Sequence, residues 1–221
     1  MIEVAPNIRR LGLLPFNLIN AYIAGDILFD ACTRFESRYF LRRLKGVTLR
    51  AVALTHVHPD HQGAANAVCD AFRCPLACHE ADAPAMEGRV DMGPPSRWIH
   101  AASNWMAGPR RQVDRTLREG DEIAGFRVIE TPGHTPGHVI FFRDADRVAI
   151  AGDLVTSMNL LTLRPGLHEP PAIFCEDARL NRRSIQKLAD LGPSTVLFGH
   201  GPPLRDPHAL HEFAERLDES C

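Results

Sequence analysis

The chain has 221 residues, of which 45% are hydrophobic and 24% are charged. This balance predicts a soluble globular protein with a sizeable core, and it excludes a disordered chain, a collagen-like repeat and a coiled coil. The formal net charge at pH 7 is −2, which disfavours a nucleic-acid partner because proteins that bind phosphate backbones usually carry a basic excess.

Neither a membrane span nor a signal peptide is predicted. No apolar run approaches the ~20 residues that a bilayer requires, and the first residues lack the basic and apolar segments of a signal peptide. We therefore expect a cytoplasmic protein without a membrane partner, whose six cysteines are reduced thiols. Because no linker, repeat or low-complexity tract divides the chain, residues 1–221 are interpreted as one domain.

Turn signals separate short strands from helices along the chain. A hairpin is predicted over 17–30, with Gly25 and Asp26 at its turn. Further strands are predicted at 51–54, 75–78, 125–129, 139–142, 148–151 and 195–198. Helices are predicted at 34–45, 62–72, 177–191 and 207–219. Two stretches lack a clear period: residues 84–118 predict a partly helical insertion, and residues 154–176 predict a long loop.

Histidine and aspartate side chains follow four of the predicted strands. They are His56, His58, Asp60 and His61 after 51–54, His134 after 125–129, Asp153 after 148–151, and His200 after 195–198. Loops held at strand ends by a rigid sheet commonly carry functional groups. Imidazole and carboxylate groups that converge from several such loops are typical of a transition-metal site.

The segment 56–61 is the densest part of this pattern, with four potential ligands within six residues. Pro59 is disfavoured in a helix interior or a central strand, so the segment is interpreted as a fixed loop. Alternate side chains of such a loop point to different sides. His56 and His58 can then serve one metal ion, while Asp60 and His61 serve a second. With the other three side chains the chain supplies seven ligands, enough for two ions.

Four segments of the chain resemble the metallo-β-lactamase fold superfamily of hydrolases. They are Thr-His-x-His-x-Asp-His at 55–61, the repeated Thr-Pro-Gly-His at 131–138, Gly-Asp at 152–153 and Gly-His-Gly at 199–201. The segment 27–32 also resembles that family's early strand, which ends in an aspartate. The resemblance covers nearly the whole chain. It implies an α/β fold, an αββα sandwich with metals at one edge between the sheets.

The resemblance also implies a role for each ligand. His56, His58 and His134 would hold the first metal, while Asp60, His61 and His200 would hold the second and Asp153 would bridge the two. His138 would be a structural neighbour of the site. Two divalent ions, zinc in the first place with Mn²⁺ or Fe²⁺ as alternatives, would share a hydroxide that attacks a carbonyl. Asp60 is expected to take a proton and return it to the leaving group.

Differences between this chain and individual families of the superfamily reduce the number of reactions to consider. The chain is most similar to short bacterial members of the glyoxalase II type, which cleave thioesters, although the segment 154–163 has no Lys or Tyr. The tyrosine that lactonases use is missing, since the only tyrosines are Tyr22 and Tyr39. We expect a hydrolase of a thioester, ester or lactone. A mononuclear iron persulfide dioxygenase is the alternative, and a β-lactamase or a phosphodiesterase is less favoured.

Several further residues are candidates for substrate binding. The stretch 154–176 is apolar and follows a predicted ligand, so it and the two tryptophans are expected to line a pocket for an acyl group. The candidate substrate-binding residues are Trp98, Trp105, Met158, Arg164 and His168, the last two as partners of a carboxylate. The alternative is that the apolar residues pack in the core or in a homodimer contact.

A cysteine cluster suggests a second metal site at first sight. Cys69, Cys74 and Cys78 with His79 do not have the Cys-x-x-Cys spacing of a zinc ribbon. Because they fall in apolar stretches, they are interpreted as buried free thiols.

Overall fold

Two β-sheets form the centre of the computed structural model, which describes residues 1–12, 17–91, 101 and 104–218. The first sheet has seven strands in sequence order: β1 (Ile2–Ala5), β2 (Ile8–Leu11), β3 (Ala21–Ala24), β4 (Ile27–Phe29), β5 (Ala51–Ala53), β6 (Leu76–His79) and β7 (Arg115–Leu117). Strands β1 to β4 pair antiparallel, and β4 to β7 pair parallel.

The second sheet has five strands: β8 (Glu122–Ile123), β9 (Phe126–Glu130), β10 (Val139–Arg143), β11 (Val148–Gly152) and β14 (Thr195–Phe198). Their spatial order is β14-β11-β10-β9-β8, and only β14 and β11 pair parallel. A small separate hairpin joins β12 (Thr156–Met158) and β13 (Pro165–His168).

Six α-helices that lie wholly within the described part of the chain accompany the two sheets, and all but the short α2 have buried side chains in the two outer apolar clusters. They are α1 (Ser37–Arg43), α2 (Pro59–Gln62), α3 (Ala65–Phe72), α4 (Ala83–Met86), α5 (Ala178–Asp190) and α6 (Pro207–Asp218). Buried side chains of α1, α3 and α4 pack on the first sheet, and those of α5 and α6 pack on the second. None of the helices in the described ranges is long and apolar enough to cross a bilayer.

A third apolar cluster lies between the two sheets. Phe29 of the first sheet contacts Phe126 and Phe141 of the second, with ring centroids 5.1 and 4.7 Å apart. Complete burial of such a ring stabilises the fold by about 1.5–3 kcal/mol. The order helix, sheet, sheet, helix is the αββα sandwich that the sequence predicts.

Three local expectations were wrong. The segment 56–61 is not a loop throughout: the short helix α2 begins at Pro59, because proline is well tolerated at the first position of a helix, and the helix predicted at 62–72 follows as α3. The stretch 154–176 is not an unstructured loop, because residues 156–158 and 165–168 pair as a hairpin. Residues 115–117, assigned to the insertion, form an edge strand of the first sheet.

The strand directions bring the ends of four strands to one edge. Both β9 and β11 run antiparallel to β10, and β14 runs parallel to β11, so these three strands end on the same side. The end of β5 joins them, since the backbone N–H of Val139 donates to the carbonyl of Thr55 at 2.9 Å. The loops that follow β5, β9, β11 and β14 therefore meet.

Candidate metal centre

Seven side chains from these four loops converge at the shared edge. Among the described residues they form two adjoining sets, and within each set the ligand-type atoms lie within 4.8 Å of one another. The first set is His56, His58 and His134, and the second set is Asp60, His61, Asp153 and His200. These are the seven residues that the sequence predicts as metal ligands.

The imidazole rings of the first set surround one point. The ring centroids of His56 and His58 are 4.8 Å apart, those of His58 and His134 are 4.6 Å apart, and each pair stands nearly perpendicular. His56 and His134 are buried, whereas His58 is half-buried. Three imidazoles that leave one side open provide the donors of a catalytic metal site with a position for water or substrate.

Asp153 is the central residue of the second set. Nε2 of His61 lies 3.2 Å from Oδ1 of Asp153, and Nε2 of His200 lies 3.0 Å from Oδ2. Nε2 of His200 also lies 3.3 Å from Oδ2 of Asp60, whose side chain is 25% exposed. Asp60 is therefore the member of this set that faces solvent most directly.

Asp153 also reaches the first set. Its Oδ2 atom lies 3.8 Å from Nε2 of His134, while its Oδ1 atom faces His61. The rings of His56 and His61 are 4.1 Å apart, so the two sets share a boundary. A carboxylate in this position can give one oxygen to each of two metal ions.

Several buried polar atoms of the centre make no hydrogen bond of acceptable geometry within the described part of the chain. They are Nε2 of His56, His61 and His134, and Oδ1 of Asp153. A buried polar atom without a partner is costly, and native structures rarely tolerate one without a ligand, water or ion. Imidazole nitrogen and carboxylate oxygen together suit Zn²⁺, Mn²⁺ and Fe²⁺. The residues thus fit a pair of divalent metal ions.

Outer partners orient four of the histidines. Nδ1 of His61 donates to Oδ2 of Asp30 at 2.9 Å, and Nδ1 of His200 donates to the carbonyl of Leu18. Nδ1 of His56 lies 3.1 Å from the Thr55 hydroxyl, and Nδ1 of His134 lies 3.5 Å from Sγ of Cys175. Engaging Nδ1 in this way leaves Nε2 of each ring directed at the centre, an arrangement common around metal-binding histidines.

The electrostatics differ between the two sets. Burial, reinforced by neighbouring imidazoles, lowers the pKa of His56 and His134 well below the ordinary histidine value. Burial also opposes the charge of His61 and His200, but nearby carboxylates outweigh it and raise both pKa values, that of His200 to about 10. Without metal, the first set is neutral at pH 7, and the second holds protons that a metal would displace.

Asp82 connects two of the loops that carry the ligands. Its carboxylate accepts hydrogen bonds from Val57 N at 3.0 Å, the Thr135 hydroxyl at 2.8 Å and Gly137 N at 2.7 Å. Burial raises the pKa of Asp82, while these hydrogen bonds partly offset the effect. Asp82 therefore fixes the loop after β5 against the loop after β9.

Gly199 shows why the last loop needs a small residue. A Cβ atom at this position would lie 2.2 Å from Oδ1 of Asp153 and 2.5 Å from Cε1 of His61. Such a contact is far inside van der Waals distance, so the backbone of the Gly-His-Gly segment can pass the centre only without a side chain here.

Sequence reasoning did not assign Asp30, Thr55, Asp82 or Cys175 to the site. Asp30 and Thr55 had a signal, since Asp30 ends the early strand of the resemblance and Thr55 begins its Thr-His-x-His-x-Asp-His segment. Asp82 follows no motif, and it becomes recognisable only through its three long-range hydrogen bonds. His138 joins neither set; its Nδ1 atom lies 2.9 Å from the Thr131 hydroxyl, beside the ligands.

The expected substrate-binding residues are more dispersed. Trp105 is 66% exposed and packs against Phe35, with ring centroids 4.5 Å apart. Met158 is buried and Arg164 is exposed, while His168 is half-buried and its Nε2 atom has no partner within the described residues. Trp98 lies outside the described residues. The site therefore brings together the predicted ligands, and the substrate residues remain predictions.

Comparison with known protein families and sequences gives a consistent result. The model described as the metallo-beta-lactamase superfamily matches residues 15–200. The probable metallo-hydrolase YflN of Bacillus subtilis is 35% identical over 216 residues, which cover 88% of this chain and 78% of that protein. The hydroxyacylglutathione hydrolase of Bdellovibrio bacteriovorus is 26% identical over 186 residues, which cover 82% of this chain and 56% of that protein.

Solved structures agree with the fold. The di-iron-bound form of TTHA1623 superimposes with a TM-score of 0.68 and 30% identity, covering 89% of this chain and 94% of that chain. The B3 metallo-beta-lactamase BLEG-1 superimposes with a TM-score of 0.68 and 26% identity, covering 93% of this chain and 96% of that chain. Both confirm the αββα fold class that the sequence predicts.

Proposed function

This chain belongs to the metallo-β-lactamase superfamily, and from that premise we propose that it is a dinuclear metal-dependent hydrolase of thioesters, esters or lactones. The observation that carries the proposal is the position of Asp153, whose two carboxylate oxygens face ligand-type nitrogens of both sets. A single-metal enzyme has no need of the complete second set.

Each set would hold one ion. His56, His58 and His134 would bind the first, Asp60, His61 and His200 would bind the second, and Asp153 would bridge them. The unpaired Nε2 atoms of the buried rings support this assignment, because they point at the centre without a hydrogen-bond partner in the described structure. We propose zinc as the metal, with manganese or iron to be tested, since ligand type alone admits all three.

When bound, two divalent ions would lower the pKa of a shared water toward neutrality and polarise the scissile carbonyl. The protein's own residues supply the rest. Asp60 is the solvent-facing carboxylate of the centre and lies 3.3 Å from Nε2 of His200. It can take a proton from the attacking water and return it to the leaving group. Asp30 holds the ring of His61, and Asp82 joins the loop after β5 to the loop after β9.

The segment between Asp153 and Cys175 supports an apolar acyl substrate. It is tied to the centre at both ends: Ser157 N donates to the carbonyl of His200 at 3.1 Å, and Glu176 N donates to that of His134 at 3.3 Å. Three apolar side chains of this segment stand in solvent, namely Leu161, Leu163 and Ile173. A relative that is a hydroxyacylglutathione hydrolase supports the thioester class.

The alternative reaction is persulfide oxidation at a single iron. Such an enzyme would use the first set with Asp153, and Asp60, His61 and His200 would then have no ion to bind. The complete second set therefore favours hydrolysis. The di-iron form of TTHA1623 makes iron content a necessary measurement, since iron alone does not separate the two reactions.

Elemental analysis of protein purified without a histidine tag or added metal tests the proposal. We expect about two metal ions per chain, followed by activity on a panel of thioesters, esters and lactones. His200→Ala should lose the second ion and the activity, whereas His211→Ala, at a half-exposed histidine of α6, should keep both. One iron per chain with persulfide-dependent oxygen uptake and no hydrolysis would overturn the proposal.

A further inference from the structure

The C-terminal end of α3 brings two cysteines together. Arg73, the residue after the helix, has a left-handed conformation with φ 53°, and its N–H donates to the carbonyl of Cys69. The N–H of Cys74 donates to the same carbonyl at 3.1 Å. The first bond is that of the αL helix end and the second is the longer bond of a Schellman motif, so the turn places Cys69 and Cys74 next to each other, as such helix ends commonly do with the residues at these two positions.

The two residues that this turn brings together are both cysteines. Cys69 and Cys74 are both free thiols, and both are buried in the core cluster beneath the first sheet, joined across the turn by the backbone hydrogen bond from Cys74 N to Cys69 O. Backbone closure of the turn brings the two Cα atoms near each other, as a disulfide requires. No other residue pair in the cysteine cluster that the sequence singled out has this arrangement within the described residues.

Arg111 lies beside this pair. Its guanidinium donates to Asn66 Oδ1 at 3.0 Å and contacts Asp70, both on α3, which holds the positive charge over the last turn of the helix. The neighbouring Cys69 thiol and the charge of Arg111 lower the pKa of Cys74, while the neighbouring Cys74 thiol and burial raise the pKa of Cys69. Cys74, which follows the helix and lies nearer the surface, is the thiol in position to react first, and Cys69, completely buried in the helix, is the thiol that follows.

We propose that Cys69 and Cys74 form a thiol–disulfide exchange site that a small disulfide oxidises to an intramolecular disulfide. The thiolate of Cys74 attacks one sulfur of the disulfide R–S–S–R, forms a mixed disulfide and releases one thiolate RS⁻. Cys69 then loses its proton and attacks the Cys74 sulfur, which releases the second RS⁻. The net change converts two protein thiols and R–S–S–R into one protein disulfide and two R–SH.

Access to Cys74 is through the turn. Cys74 itself is 4% exposed, but its neighbours Arg73 and Pro75 are exposed, so the thiol lies directly under the surface. A left-handed conformation at a non-glycine residue stores strain, which favours brief opening of this turn over opening of the core. Cys78 is completely buried on β6, and its thiol donates to the carbonyl of His79. It therefore serves as the control cysteine, which we expect not to react with the small disulfide.

The test uses the full-length protein with 2-hydroxyethyl disulfide as the probe. After oxidation, acid quenching and alkylation under denaturing conditions, we expect the count of free thiols to fall from six to four, and peptide mapping to find Cys69 joined to Cys74. Cys69→Ser should stop at a mixed disulfide on Cys74, and Cys74→Ser should keep all its remaining thiols. Cys78→Ala should still lose two thiols.

Circular dichroism of each variant shows whether it is folded before oxidation. Six free thiols in the folded wild type after prolonged exposure would overturn the proposal, as would a disulfide that joins any other pair. A Cys69→Ser variant that forms no mixed disulfide on Cys74 would also contradict it. The outcome does not depend on the metal centre, so the site can be accepted or rejected whatever reaction the protein catalyses.

Discussion

Oδ2 of Asp30 accepts a hydrogen bond from Nδ1 of His61 at 2.9 Å, although 31 residues separate the two in the chain. Asp30 is itself held by the backbone N–H of Thr55 at 2.8 Å. The carboxylate therefore fixes the ring of His61 so that Nε2 faces Asp153. An aspartate that no ligand motif includes thus orients a residue of the proposed second metal site.

Replacing Asp30 tests this relationship. Asp30→Asn should weaken binding of the second metal ion by about 10–100-fold, because the ring of His61 loses the carboxylate that orients it and makes it more basic. Metal dissociation constants from competition with a chromophoric chelator measure the effect. Asp26→Asn, at a half-exposed aspartate paired with Arg50 next to the same strand, should leave the constants unchanged. Equal affinities in both variants would exclude the orienting role.

Asp60 is predicted to move a proton as well as to bind metal. Asp60→Asn, assayed at saturating metal, should reduce kcat by about 10²–10⁴-fold, since the amide cannot carry a proton to the leaving group. Metal content measured on the assayed sample separates this loss from loss of an ion. Near-normal turnover with both ions present would remove the proton-transfer role of Asp60.

Loading of the second set is predicted to release protons. The carboxylates keep His61 and His200 protonated without metal, because their pKa values are raised, that of His200 to about 10. Below that pH a metal ion must displace these protons, so its affinity for the second set should rise with pH by up to about tenfold per unit for each proton. Metal binding to the first set should release few protons, because the pKa values of His56 and His134 are lowered.

Calorimetric titration with zinc in buffers of different ionisation enthalpy measures this difference. The heat of the second binding event should depend on the buffer, and the heat of the first should depend on it weakly. A first event that releases as many protons as the second would contradict the assignment of charge to the two sets.

Asp82 is predicted to be a stability residue. Asp82→Ala leaves the donors at Val57, Thr135 and Gly137 buried without their acceptor, so the free energy of unfolding should fall by about 3 kcal/mol or more. Asp114→Ala is the control: it removes a half-exposed carboxylate that accepts a hydrogen bond from Leu76 N, and it should lower the free energy of unfolding by less than about 1.5 kcal/mol. Urea unfolding of the metal-free proteins compares them, and equal losses would refute the role of Asp82.

The exposed apolar side chains of the segment after Asp153 are predicted to bind the acyl part of the substrate. Leu161→Ser and Ile173→Ser should raise KM for long acyl substrates several-fold and leave kcat unchanged, because they remove apolar contact alone. Ile2→Ser, on the first strand, is the control, since the exposure of Ile2 lies between those of Leu161 and Ile173. Trp105→Ala belongs to the same series. Full activity of all these variants on every substrate found would indicate that the apolar residues have a packing role.

Strand positions and ligand types were predictable because they depend on short-range patterns. Apolar runs of four or five residues formed strands, and histidine or aspartate followed directly after four of them. The hairpin of β12 and β13 was missed because its strands are short and Gly166 and Pro165 gave the appearance of a loop. Pro59 was placed in a loop for a similar reason, although the first helical position accepts proline.

The sequence by itself determined the seven residues that converge, because these follow from residue type and local spacing, and its motifs carried the resemblance to the superfamily that implies the αββα architecture. Only the tertiary structure decided that Asp30 holds His61, that Asp82 joins two loops across 53 residues, and that Cys74 turns back onto Cys69. Such contacts depend on strand register and loop closure over long separations. Residue type states what a side chain can bind, whereas the packed fold decides which partner it meets.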